Sequence, residues 1–112
     1  RLSAFVDMAI DYHLEPLVEV HNAIEAESAL NTRTSLIGIN NRNLATMTID
    51  RSTTRILSGN IRGKGKLIVS ESGMRSADDG REMRGHCDAF LIGSSIMSDK
   101  QPGKKLEEFV CA

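Results

Sequence analysis

The chain has 112 residues, of which 40% are hydrophobic and 26% are charged, and its formal net charge at pH 7 is -1. A chain of this length ordinarily forms one domain with its own core. The balanced charge gives no sign of a surface for nucleic acid or an anionic membrane, and the 4% aromatic content argues against base stacking. The apolar runs are far shorter than the ~20 residues that cross a bilayer.

The two cysteines, Cys87 and Cys111, have no short spacing between them and no neighbouring residues that would complete a metal site. We therefore predict two reduced thiols, no metal and a cytoplasmic location. The chain begins at Arg1 rather than at methionine. We expect it to be a processed chain or a fragment of a longer protein.

The first third of the sequence predicts a helix, a strand and a second helix. Apolar residues at helical spacing place the first helix at residues 2–10. Its buried stripe is predicted to contain Leu2, Phe5, Val6, Ala9 and Ile10. A strand follows at residues 17–21. Asn22 is predicted to cap the second helix, with Glu25 at capping-box spacing, and this helix ends near Asn31.

The middle of the chain repeats this pattern around a longer loop. A second strand is predicted at residues 35–40 and is followed by a loop over 41–49. Asp50 is predicted to cap the next helix, which we expect the sequence Ser58-Gly59-Asn60 to terminate.

The last third adds two more strands. The third strand begins at Leu67, and Ser76 is predicted to cap a helix that ends at Gly85. A fourth strand is predicted at residues 89–93 and a final amphipathic helix at 102–110. Since no two-residue hairpin turn joins any two strands, helical crossovers should make all of them parallel. The predicted fold class is therefore α/β, a parallel βα repeat.

Polar residues near the ends of three strands share one face of the predicted sheet. Side chains alternate along a strand, so Glu19, Asn40 and Glu71 should point to one side while Val18 and Ile37 point to the helices. Ligands of such sheets bind beyond the carboxyl ends of the strands. Burying an unpaired carboxylate is costly, so we expect Glu19 to need a cationic partner from outside this chain. The alternative is a carboxylate that reaches a surface arginine.

The loop Asn40-Asn41-Arg42-Asn43-Leu44 offers three amides and a guanidinium directly after the second strand. These donors suit a carboxylate or a phosphate, and Arg42 can bind such a group with two parallel hydrogen bonds. The alternative is an asparagine-rich turn closed by its own hydrogen bonds.

Small residues follow the last two strands, in Glu71-Ser72-Gly73 and in Gly93-Ser94-Ser95. They would let backbone amides approach an anion, and two successive strand ends of this kind predict a phosphate site. The alternative is a pair of tight turns. His21, at the end of the first strand, is expected to support this site rather than to react.

Four segments closely resemble the indole-3-glycerol phosphate synthase family, and they occur in the family's order. They are LVEVH at 17–21, IGINNRNL at 37–44, VSESGMR at 69–75 and DAFLIGSSIM at 88–97. The resemblance covers nearly the whole chain and corresponds to strands five to eight of the family's TIM (β/α)₈ barrel, with the fourth helix in front. It implies that residues 1–112 form a single C-terminal half-barrel, from helix four to helix eight.

The resemblance also implies an activity in tryptophan biosynthesis. The family closes the ring of 1-(2-carboxyphenylamino)-1-deoxyribulose 5-phosphate, with decarboxylation and dehydration, and uses no cofactor. Position by position, Glu19 would orient a catalytic lysine and Asn40 would bond the reacting region. Arg42 would hold the anthranilate side, and Glu71 would form a wall of the sugar pocket. The implied phosphate ligands are Ser72, Gly73, Gly93 and Ser94.

The two lysines and the glutamate that act as general acid and base in this family come from the first three strands, and no segment of this chain resembles those strands. The chain alone should therefore have little or no turnover. We expect it to partner an N-terminal half-barrel or to self-associate as a dimer, with no nucleic-acid or membrane partner. The alternative function is a non-catalytic half-barrel that binds phosphorylated ligands or associates structurally with itself. Phosphoribosylanthranilate isomerase is a weaker match because it lacks the Asn-Asn-Arg loop.

Overall fold

The structure, a computed structural model, describes residues 1–92, 100–101 and 103–104. Its elements in chain order are α1 (Leu2–Asp11), β1 (Leu17–Val20), α2 (Ala23–Leu30), β2 (Leu36–Asn40), α3 (Ser52–Ile61), β3 (Leu67–Glu71), α4 (Ala77–Met83) and β4 (Ala89–Leu91). The strands form one sheet in the order β1-β2-β3-β4, and every neighbouring pair is parallel. The predicted α/β fold of parallel βα repeats is confirmed. Most of the predicted tail helix, together with Cys111, lies outside the described residues.

The main core lies between the sheet and helices α1, α2 and α3. Alternate residues of the strands face the helices, and Ile37 and Ile39 are completely buried there. This cluster consists of Val6, Val18, Val20, Ala26, Ala29, Ile37, Ile39, Leu57, Ile61 and Ile68. The apolar, helix-facing side predicted for the first two strands is therefore confirmed.

Helix α1 buries less of its apolar stripe than the sequence predicts. Val6 is buried, and Ile10 packs partly against the core. Leu2 and Phe5, which the spacing also assigned to the buried stripe, are 39% and 58% exposed. Periodicity identifies an apolar helix face, but only the packing partners decide how much of that face is covered. The Arg1 guanidinium lies over the Phe5 ring, 5.6 Å from its centroid, and leaves most of Phe5 in contact with solvent.

Helix α3 extends further than predicted, because Ser58, Gly59 and Asn60 lie inside it rather than terminating it. The helix continues to Ile61, which is completely buried in the core. Burying an isoleucine stabilises the fold by roughly 1.5–3 kcal/mol. This exceeds the ~1 kcal/mol that a glycine costs inside a helix. The chain then leaves the helix before Gly63, whose φ of +79° favours glycine.

The predicted caps are formed by the expected residues in two of three helices. The Asn22 side chain accepts a hydrogen bond from the amide of Glu25, and Ser76 forms a reciprocal capping box with Asp79. Asp50 differs, because α3 begins one residue later with Arg51 in the N-cap position. The Asp50 carboxylate instead accepts hydrogen bonds from the backbone and the hydroxyl of Ser52. These two bonds hold the pKa of Asp50 below its ordinary value.

The opposite side of the sheet is open in the described part of the chain. Leu17, Leu67 and Leu91 point to this side and are 44%, 53% and 56% exposed. The outer strands β1 and β4 each pair with one other strand in the described part of the chain, so each has an unpaired edge there. Exposed leucines next to unpaired strand edges are typical of a surface that another segment covers. No helix in the described part is long and apolar enough to span a bilayer.

The core position of Ile39 gives a matched test of this fold. We expect Ile39→Ala to lower the free energy of unfolding by roughly 2–5 kcal/mol, because it leaves a cavity between the sheet and the helices. Ile56→Ala makes the same change on α3 at a side chain that is 67% exposed, and should alter stability by less than about 0.5 kcal/mol. Urea unfolding measures both, and equal losses would contradict the assigned core.

Candidate active site

The carboxyl ends of β1, β2 and β3 bring three polar side chains into one hydrogen-bonded cluster. Asn40 Nδ2 donates to Glu19 Oε1 at 2.5 Å, and Ser72 Oγ donates to Asn40 Oδ1 at 2.9 Å. The strand register also places Asn40 directly beside Glu71. The structure thus brings Glu19, Asn40 and Glu71 together at one edge of the sheet, as the strand pattern predicts.

Glu19 has polar neighbours within this chain, in addition to the cationic partner that the sequence predicts from outside. Its side chain is 42% exposed, so it is not the buried, unpaired carboxylate that the strand pattern suggested. The Asn40 amide donates to it, and His21 Nε2 lies 3.3 Å from its Oε1. The open sheet face explains the difference, since solvent reaches the carboxylate directly.

His21 lies between two carboxylates. Glu25 Oε1 accepts a hydrogen bond from the His21 backbone amide at 2.8 Å and lies 3.1 Å from the ring Nδ1. The other ring nitrogen, Nε2, faces Glu19 and is buried without a hydrogen bond among the described residues. The predicted supporting place of His21 beside the site agrees with this geometry. Sequence reasoning assigned Glu25 only to the helix cap, and missed its contact with the imidazole.

Glu71 is buried against the backbone of β2. Its side chain is 7% exposed, and its Oε2 has no hydrogen-bond partner among the described residues. Burial raises the pKa of Glu71, and the neighbouring Glu19 carboxylate raises it further, while His21 opposes the shift. This carboxyl group therefore keeps a proton to higher pH than an ordinary glutamate.

Gly38 makes the buried position of Glu71 possible. A Cβ atom on residue 38 would lie 1.8 Å from Glu71 Oε2, so any side chain there would displace the carboxyl group. Side-chain alternation along β2 puts Gly38 on the same face as Asn40, and the sequence analysis gave Gly38 no role. An isolated glycine inside a strand often marks such a close approach, and that signal was available.

Arg42 lies in a groove beside the cluster. The groove has a volume of about 630 Å³ and is lined by His21, Asn22, Glu25, Asn40, Asn41, Arg42, Asn43, Leu44, Ala45, Thr48, Asp50 and Thr53. The Arg42 backbone amide donates to Asn40 Oδ1 at 2.9 Å. Its guanidinium has no hydrogen bond or ion pair among the described residues, so its five N–H donors are available to a ligand.

The amide of Asn41 bonds only within the fold, which corrects the expectation that all three loop asparagines offer donors to a ligand. Asn43 Oδ1 accepts from the amides of Ala45 and Thr46, closing a turn. Asn41 is 2% exposed and bonds only to protein groups. The alternative of a self-closed turn thus applies to the side-chain oxygens of Asn40 and Asn43, which accept from amides two or three residues further along the loop. Asn40 accepts from its own loop but still donates to Glu19.

The loop after β3 has a left-handed backbone at two successive residues. Ser72 and Gly73 both have positive φ, +70° and +85°. A Cβ on residue 73 would meet Ile49 Cγ2 at 2.7 Å, so glycine is required there for space as well as for conformation. The other half of the predicted phosphate site, Gly93 and Ser94, lies outside the described residues.

Cys87 is a free thiol that is partly buried beside the second small core cluster. Its Sγ donates to the Met83 carbonyl at 3.5 Å, and burial raises the pKa of the thiol. A raised pKa lowers the thiolate fraction and with it the reactivity. No group of three or more histidine, cysteine or carboxylate side chains in the described residues could hold a metal ion.

The raised pKa of Glu71 predicts a pH dependence of stability. The folded state retains a proton between the ordinary pKa of 4.5 and the raised value, so the free energy of unfolding falls as pH rises through that window. We expect Glu71→Gln to be more stable than the wild type at pH 7, and to lose this advantage below pH 4.5. Urea unfolding at both pH values measures the difference.

The exposed Glu27 provides the control. Glu27→Gln should show no such change in relative stability between the two pH values. A Glu71→Gln difference that stays constant across the range would contradict the shifted pKa.

Comparison with known proteins identifies the family. The model of the indole-3-glycerol phosphate synthase family matches residues 1–109. Proteins named indole-3-glycerol phosphate synthase from Lachnospira eligens and Bordetella pertussis are 40% and 46% identical to this chain. The first alignment covers 97% of this chain and 42% of the relative, and the second covers 92% and 39%. The chain thus spans about two fifths of the length of these relatives.

A solved structure supports the fold separately. A chain in the crystal structure of the Amycolatopsis orientalis BexX/CysO complex superposes with a TM-score of 0.67, over 93% of this chain and 44% of that chain. At 17% identity this likeness concerns the fold alone. The family match over residues 1–109, together with relatives at 40% identity and above, shows that the chain belongs to the indole-3-glycerol phosphate synthase family.

Proposed function

We propose that this chain is the C-terminal half-barrel of an indole-3-glycerol phosphate synthase, and that it binds and orients the substrate while other chain segments supply the catalytic lysines. The reaction is the ring closure, decarboxylation and dehydration of 1-(2-carboxyphenylamino)-1-deoxyribulose 5-phosphate. The observation that carries this proposal is the cluster of Glu19, Asn40 and Ser72 at the carboxyl ends of three adjacent parallel strands.

The substrate has a charged group at each end, and the described residues offer a matching group for each. The free guanidinium of Arg42 suits the anthranilate carboxylate, because it can donate two parallel hydrogen bonds. At the other end, the left-handed backbone of Ser72 and Gly73 suits the phosphate, together with Gly93 and Ser94 by sequence. Asn40, between these two places, would then contact the reacting region.

The two glutamates take different parts in this proposal. Glu19 is partly exposed and accepts from Asn40, so its carboxylate is available to pair with a lysine from another segment. Glu71 is buried and has a raised pKa, so it suits a wall of the sugar pocket, where its protonated form could donate to a substrate oxygen.

A companion half-barrel would cover the open side of the sheet. The exposed Leu17, Leu67 and Leu91 on that side are apolar residues that a single half leaves in contact with water. The relatives are more than twice as long as this chain, which leaves enough sequence for four further βα units. A second copy of this chain is the other candidate for the same surface.

Reconstitution tests this function directly. We expect the chain alone to show no measurable turnover, and turnover to appear when the N-terminal part of the Lachnospira eligens relative is supplied as a separate chain. Glu19→Gln should then lower kcat by about 10²-fold, since groups that serve proton transfer contribute about 10²–10⁴-fold. Formation of indole-3-glycerol phosphate measures both effects.

Glu27→Gln, an exposed change on α2, should leave the reconstituted rate unchanged. The proposal fails if the two halves form a stable complex that still lacks turnover. Sedimentation tests the alternative that a second copy of this chain covers the open side of the sheet. In that case the chain remains a homodimer when the N-terminal half is added.

The proposed role of Arg42 is tested by a charge-conserving change. Arg42→Lys keeps the positive charge but loses the bidentate geometry, so we expect KM of the reconstituted enzyme to rise by about tenfold. Arg55→Lys makes the same change at an exposed residue of α3 and should leave KM unaltered. An unchanged KM in Arg42→Lys would place the anthranilate carboxylate elsewhere.

A further inference from the structure

Asn41 lies immediately behind the candidate active site, at the junction of β2, β3 and α3. Its side chain is 2% exposed, and its neighbours Thr54 and Ser70 are completely buried. None of these three side chains was assigned to the substrate above. A buried polar group must find hydrogen-bond partners within the protein, so the bonds that Asn41 makes show what it holds in place.

The amide of Asn41 uses every hydrogen-bonding position it has. Its Nδ2 donates to Ser70 Oγ and to the Ser72 carbonyl, both at 3.0 Å. Its Oδ1 accepts from the Thr54 amide at 3.1 Å and from Thr54 Oγ1 at 2.8 Å. A primary amide has two donor hydrogens and two acceptor lone pairs, so no other uncharged side chain of this size replaces it.

These bonds continue into the active-site cluster. The Ser72 carbonyl that Asn41 holds belongs to a residue with φ of +70°, a conformation that is unfavourable for any residue with a Cβ. In that conformation, Ser72 Oγ donates to Asn40 Oδ1. The Asn41 backbone amide also donates to the Glu71 carbonyl at 2.9 Å. Asn41 is thus one hydrogen bond away from Ser72 and two from Asn40.

We propose that Asn41 is a positioning residue for the reaction: it holds Ser72 in its left-handed conformation and, through Ser72, fixes the orientation of Asn40. Its importance for turnover rests on the proposed function, whereas its effect on Ser72 and Asn40 does not. The surrounding bonds over-determine a strained residue at the site, so removing them should release Ser72 first.

Three variants separate positioning from simple stabilisation. Asn41→Asp is nearly isosteric but loses the two donors to Ser70 and Ser72. Thr54→Val removes the hydroxyl that donates to Asn41 and keeps the shape of the side chain, whereas Thr54→Ser keeps the hydroxyl. The control is Ser58→Ala on the same helix, where the buried hydroxyl bonds only to the Arg55 carbonyl within α3.

The first readout uses the chain by itself. The Arg42 amide donates to Asn40 Oδ1, so its hydrogen exchange reports the orientation of Asn40. We expect this amide to exchange at least about tenfold faster in Asn41→Asp and in Thr54→Val, because local opening becomes easier. Thr54→Ser and Ser58→Ala should leave it unchanged, even where they lower the unfolding midpoint.

The second readout uses the reconstituted enzyme. Misplacing Asn40 and Ser72 should lower kcat by about ten- to a hundredfold in Asn41→Asp, at a temperature where all variants are folded. Thr54→Val should also lower kcat, whereas Thr54→Ser should retain the wild-type value. Ser58→Ala should retain it.

The proposal is overturned if Asn41→Asp is destabilised but shows wild-type exchange at Arg42. It is also overturned if Ser58→Ala changes kcat as much as Asn41→Asp does. If Asn41→Asp does not fold, the comparison of Thr54→Val with Thr54→Ser tests the proposal in its place, through the same exchange rate and kcat. Absence of turnover in the reconstituted wild type would reject the proposed function alone, since the exchange measurement still tests Asn41.

Discussion

Parallel pairing of the four strands is the constraint on which the rest of the structure depends. Because each strand returns through a helix, the carboxyl ends of β1, β2 and β3 reach the same edge of the sheet. Residues far apart in sequence, such as Glu19 and Ser72, thereby become neighbours of Asn40. The βα repeat also assigns the two sides of the sheet different tasks. One side carries valine and isoleucine into the helical core, and the other carries the polar groups.

The polar side of the sheet combines a buried carboxyl group with a solvent-accessible one. Glu71 is buried over Gly38 and has a raised pKa, whereas Glu19 is partly exposed beside it. Two carboxyl groups in one site therefore have different environments. The open side of the sheet keeps Glu19 accessible to solvent, and Leu17, Leu67 and Leu91 are exposed on the same side.

Buried polar contacts behind the site explain how short loops hold it in place. Asn41 connects the ends of β2 and β3 to the start of α3, and the partly exposed Arg51 adds ion pairs with Asp79 and Glu82 across the next loop. Such contacts are valuable at a strand edge because loops have few apolar contacts to keep them in one conformation. The surrounding fold can therefore support Ser72 in a conformation that a free chain would avoid.

The sequence by itself determined the order of strands and helices, their parallel direction, and the edge at which Glu19, Asn40 and Glu71 meet. Periodicity and capping residues are local signals, and side-chain alternation in a strand is strict. Only the tertiary structure decided that α3 continues through Gly59 to Ile61, that Phe5 stays exposed, and that Asn41 serves the fold while Arg42 remains free. These outcomes depend on which groups lie opposite one another in space. A local pattern records what a residue can do, and burial with specific partners decides what it does.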